Sequence, residues 1–121
     1  MRYVGVDLMR LSRIKPLDGQ WDDPFFKKTF TEREREFCLT ARDPILAFAK
    51  AFAAKEAVFK ALRIDNAFRF NRVEILRDET GQPTVTLYEP LRAQAGEMGI
   101  CRINLSLSCD KDLVIAFAVS E

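Results

Sequence analysis

With 121 residues, 48% of them hydrophobic, the chain has the size of one globular domain (residues 1–121) and neither a disordered nor a membrane-spanning composition. Nineteen Lys and Arg against eighteen Asp and Glu leave a net charge of +1, which gives no global field for nucleic acid or a membrane surface. Histidine is absent, so the usual neutral-pH acid and base and the commonest transition-metal ligand are both missing, and any metal chemistry falls to oxygen donors.

Cys38, Cys101 and Cys109 are odd in number and lack C-x-x-C spacing, which argues against zinc or a disulfide framework and for a reducing compartment. MRYVGVDLMR has no apolar signal core and no run is long enough to cross a membrane, so the expected location is cytoplasmic. A domain this small leaves roughly a third of its unfolded surface exposed and often completes an active site by oligomerising.

In chain order, residues 2–11 alternate as a strand, with Val4, Val6 and Leu8 on one face and Tyr3, Gly5, Asp7 and Met9 on the other. A turn from Leu17 precedes a short helix opened by Pro24, and the Thr31 and Glu34 capping-box spacing starts a second helix over TEREREFCL with a solvated charged face. Asp43 and Pro44 open the main helix, which runs to Leu62. FRFNRVEILRD and TVTLYE then form a hairpin around Glu79–Pro83, Pro90 begins a helix closed by Gly99, and two final strands flank Asp110–Asp112. The order predicts an α+β fold with a mainly antiparallel sheet packed on a long central helix.

Two carboxylates stand out. On a helical wheel Glu56 lies within about 80° of Ile45, Phe48, Ala49, Phe52 and Phe59, inside the apolar stripe. An exposed pair with Lys60 would return only about 0.2–0.5 kcal/mol, less than the several kcal/mol needed to desolvate a carboxylate. Asp7 is similarly out of place in a strand. Two such carboxylates on separate elements suit a hard cation such as Mg2+, with Lys55 and Lys60 placed to neutralise phosphate charge.

GVDLMRLSRI, FTERERE and above all FAAKEAVFKAL (residues 52–62), followed by VEIL, the Gly81–Pro83 turn and LSLS, resemble the holo-acyl-carrier-protein synthases, the small bacterial 4′-phosphopantetheinyl transferases. The resemblance runs through nearly the whole chain in order. It implies transfer of the phosphopantetheinyl group from coenzyme A to a serine of an apo acyl carrier protein. By position, Asp7 and Glu56 match the family's Mg2+ ligands and Lys60 the lysine at the pyrophosphate. Lys55 and Ser108 join Lys60 as coenzyme A contacts, and either Glu56 or a metal-bound water is the implied base. A homotrimer with coenzyme A between subunits is implied as well.

The chain departs from the family pattern in four places. Ala51 stands where an arginine precedes the signature, Arg63–Ala67 replaces a glycine-rich turn, and Cys109 replaces a histidine. Asp22 and Asp23 fall in the segment that usually docks the carrier, leaving Arg10, Arg13, Lys27 and Lys28 as its positive contacts. A non-catalytic module that holds a carrier protein or nucleotide is the alternative reading.

Overall fold

The computed structural model describes residues 1–67 and 69–121, and part of the expected FRFNRVEILRD strand, position 68, lies outside them. The first strand is β1 (Tyr3–Arg10), followed by two short 3-10 turns and the helices α1 (Pro24–Thr29), α2 (Glu32–Leu39) and α3 (Pro44–Leu62). The hairpin β2 (Val73–Arg77) and β3 (Pro83–Leu87) comes next, then α4 (Leu91–Glu97), β4 (Ile103–Asp110) and β5 (Leu113–Ser120). The expected strand from residue 69 is shorter than its apolar pattern, because Phe70–Arg72 coils into a 3-10 turn before β2 begins.

Local chemistry fixes the helix starts. Asp23 accepts a hydrogen bond from the Phe25 backbone N–H at 2.9 Å, so one of the two unexpected acids of this segment is a helix cap. Thr31 and Glu34 form the full capping box, and Asp43 caps α3 by accepting from the Leu46 N–H.

All the strand pairs are antiparallel, in a three-stranded sheet ordered β1-β5-β4 and a separate β2-β3 hairpin. Helix α3 lies across β1 and β5, and its partners there are small: Ala53, Ala57 and Ala61 on the helix, Ala116 and Ala118 on β5, Gly5 on β1. A second part of the core is aromatic, with Phe26 and Phe30 packed 4.8 Å and 4.9 Å from Phe48. Burial thus surrounds α3 on most sides.

Gly5 sets the depth of this contact. A Cβ there would fall inside the van der Waals envelope of the Ala57 carbonyl oxygen and 2.8 Å from the Ala61 nitrogen, both rigid helix backbone. Gly5→Ala is therefore expected to destabilise the fold by about 3 kcal/mol, the upper end for overpacking, because β1 must shift bodily. Urea denaturation would check this, and an unchanged midpoint would show that β1 moves freely.

The outer face of the same sheet is apolar. Val4, Val6 and Leu8 of β1 lie beside Ile115 and Phe117 of β5, and all five are exposed in the single copy. None of the helices among the described residues is long and apolar enough to cross a membrane.

Candidate active site

The inward face of β1 carries Asp7 toward α3, and the last turns of α3 present Glu56 and Lys60 along one edge. The Lys60 ammonium donates to the Val6 carbonyl at 2.8 Å and lies 3.6 Å from Asp7 Oδ1. Asp7 Oδ2 is buried and has no hydrogen-bond partner. An orphaned carboxylate oxygen of this kind is costly unless a proton, a cation or an ion completes it.

Glu56 borders an open cleft of about 570 Å3 lined also by Val4, Phe59, Lys60, Arg63 and Asn66. The Asn66 side-chain amide donates weakly to both its oxygens, at 3.3 and 3.5 Å. Burial and then the charge of Asp7 hold the Glu56 carboxyl above the ordinary carboxylate range, against the opposite pull of Lys60 and Arg13. The guanidinium of Arg13 lies 5.9 Å from the ring centroid of Phe52, one helical turn before Glu56.

Three sequence expectations need correction. Glu56 is not at the centre of the buried face: Phe52, Glu56 and Lys60 run along the wettest line of α3, and the deepest residues are its alanines together with Lys55, Val58 and Leu62. A wheel cannot orient a helix that is apolar nearly all round. The charges of α2 are not all solvated either, since Glu34 is fully buried and pairs with Lys55 at 2.7 Å. Lys55, expected at phosphate, is instead 0% exposed in the core, donating to the carbonyls of Phe70 and Val73 as well as to Glu34.

Ser108 is not brought into the Glu56 cleft within one copy. It lies at the outer corner of β4, lining a separate hollow with Leu8 and Ile115. Ala51 borders an apolar groove of about 380 Å3 flanked by Arg42, Lys50 and Arg77, so positive side chains surround the position where arginine is lacking. Cys38 is inert, its thiol pushed up to about 12 by burial and by neighbouring Glu34. Sequence reasoning missed Asn66 as the partner of Glu56, because a loop asparagine carries no periodic signal.

Glu56 and Lys60 on an open cleft that Asp65 also lines, with Asp7 behind Lys60 and no cluster of three acids or cysteines among the described residues, define a site for a hard cation and an anionic substrate. Comparison with known proteins gives this class its family. Residues 3–118 match the family described as the 4′-phosphopantetheinyl transferase superfamily. A holo-[acyl-carrier-protein] synthase of Dehalococcoides mccartyi is 36% identical over 121 residues, covering 100% of this chain and 99% of that protein. The crystal structure of the Neisseria meningitidis holo-[acyl-carrier-protein] synthase superposes with a TM-score of 0.90 at 33% identity, over 100% of this chain and 98% of that one. The Helicobacter pylori enzyme, solved in complex with coenzyme A, gives 0.79 at 25% identity over 98% and 99%. The chain belongs to the 4′-phosphopantetheinyl transferase superfamily. The expected transferase class and α+β fold are both borne out.

Proposed function

We propose that the protein transfers the 4′-phosphopantetheinyl group of coenzyme A to a serine hydroxyl of an apo acyl carrier protein, releasing adenosine 3′,5′-bisphosphate, with Mg2+ as its ion. The observation that carries this reading is the buried, unpartnered Asp7 Oδ2 beside Glu56 and Lys60. It also speaks against a non-catalytic module, in which such an oxygen would be a standing penalty.

Asp7 and Glu56 would hold the ion, two carboxylates being the usual protein share of a Mg2+ site, with water and phosphate oxygens as the remaining donors. When bound, it supplies positive charge to the diphosphate under attack. Lys60 adds a point charge at the same place, over half exposed yet anchored through the Val6 carbonyl. Glu56 is the carboxylate placed to take the serine proton, since it is the one that opens on the cleft. Exposed Arg10, Arg13, Lys27 and Lys28 offer positive contacts to an acidic carrier.

The protein works as a homotrimer on this reading. An apolar patch such as Val4, Val6, Leu8, Ile115 and Phe117 marks an association surface, and Val4 belongs both to that patch and to the Glu56 cleft. A copy docked on the patch would border the cleft and bring its own Ser108 toward it. The exposed, unpaired Cys101 and Cys109 suit the reducing cytoplasm.

The test is incubation with coenzyme A, Mg2+ and the apo carrier proteins of the same cell, read by intact mass. One phosphopantetheinyl addition is expected, abolished by chelator and restored by Mg2+, with sedimentation of the enzyme as a trimer. No addition on any carrier while coenzyme A still binds would overturn the reading.

A further inference from the structure

The mechanism above leaves one cation of the cleft without a task. Helix α3 is followed by Arg63 as its C-cap, whose backbone sits in the left-handed region at φ 59°. Glycine adopts that conformation freely, whereas a Cβ crowds the backbone there. The chain nonetheless carries a long charged side chain at this point, and that side chain has a seat: its guanidinium carbon lies 4.6 Å from the centroid of the Tyr3 ring.

Among the described residues no carboxylate is ion-paired with Arg63. Lys60, three residues earlier, is already drawn to Asp7 and the Val6 carbonyl. Both cations line the cleft that Glu56 borders. A guanidinium stacked on an aromatic face keeps its in-plane N–H fork free, and that fork fits two oxygens of one phosphate.

We infer that Arg63, seated on Tyr3, is a binding residue for the diphosphate of coenzyme A and sets the affinity for that substrate. The inference rests on the transferase reading and deepens it. It also explains why a conformation that favours glycine is occupied by arginine.

The test compares the full-length protein with Arg63→Gly and Arg63→Lys, using coenzyme A, dephospho-coenzyme A and the apo carrier that the wild type modifies. In Arg63→Gly, KM for coenzyme A and its calorimetric Kd should both rise about tenfold, as for the loss of one charge-assisted contact. KM for the carrier should stay unmoved, and Tm should not fall, since glycine relieves the backbone. Arg63→Lys should restore only part of the affinity, because an ammonium neither stacks nor forks. The same penalty is expected with dephospho-coenzyme A, which retains the diphosphate.

Unchanged coenzyme A affinity in Arg63→Gly, beside a wild type that transfers normally, would overturn this inference alone. A penalty that disappears with dephospho-coenzyme A would overturn the assignment to the diphosphate. A lowered Tm with both KM values raised together would replace binding by a structural role. A wild type that neither binds coenzyme A nor transfers would overturn the parent reading, and this one with it.

Discussion

Glu56→Gln is expected to cut phosphopantetheinyl transfer by at least about a hundredfold, the scale for losing a positioned base, while the metal-free protein becomes no less stable at pH 7. The second half follows from the direction of the carboxyl's shift. Its folded pKa is raised by burial and by Asp7, so the fold favours the protonated form. That stabilisation is present below the unfolded pKa and disappears as pH rises through the folded one. At pH 7 the wild type therefore carries an ionised, partly desolvated group that glutamine lacks, and the two proteins should converge in Tm toward about pH 4. Added Mg2+ should raise the Tm of the wild type and not of the variant, since only a bound ion shifts the folding equilibrium. Unaltered turnover in Glu56→Gln would remove this carboxylate from the chemistry.

Lys55→Met is expected to lower stability by about 3–5 kcal/mol at neutral pH, the range for breaking a buried ion pair from one side. The variant leaves Glu34 buried and ionised without its partner, and leaves the Phe70 and Val73 carbonyls without their donor. Burial already raises the Glu34 carboxyl, and Lys55 is the largest opposing influence. Removing Lys55 therefore raises it further. A raised folded pKa contributes stability at low pH that is lost as pH rises through it, so the variant should recover part of the deficit at about pH 5 and be weakest near pH 8. Urea denaturation at the two values measures the difference. A variant as stable as the wild type, but with weakened coenzyme A affinity, would return Lys55 to the substrate site.

The parts of this fold that were legible in advance are those written in local chemistry. Asp43 and Pro44 opened α3 and Leu62 closed it, and the Thr31–Glu34 box started α2, because caps act within a few residues. The inward face of β1 could likewise be read from alternation, since strand side chains have a period of two. The burial of Glu34 and Lys55 could not. Their pairing joins α2 to α3 and reaches β2 through the Ile75 N–H, a contact between distant segments that no local pattern encodes. The same reason hid Asn66 and the seat of Arg63 on Tyr3, both of which depend on where a loop returns. The carboxylates themselves were visible as chemical misfits, Asp7 in a strand and Glu56 among phenylalanines, and the structure brings both to one lysine's neighbourhood. Family resemblance then supplied the reaction, which physical reading alone left at a cation and an anion.

The contact of Gly5 with the backbone of Ala57 and Ala61 makes β1 and α3 meet main chain to main chain, right beside the lysine that faces Asp7. The spacing between the two carboxylate-bearing elements is therefore gauged by atoms that every amino acid shares, and side-chain volume does not set it. On the proposed reading, the distance across which the two carboxylates would act together is therefore held by one missing methyl group, at Gly5.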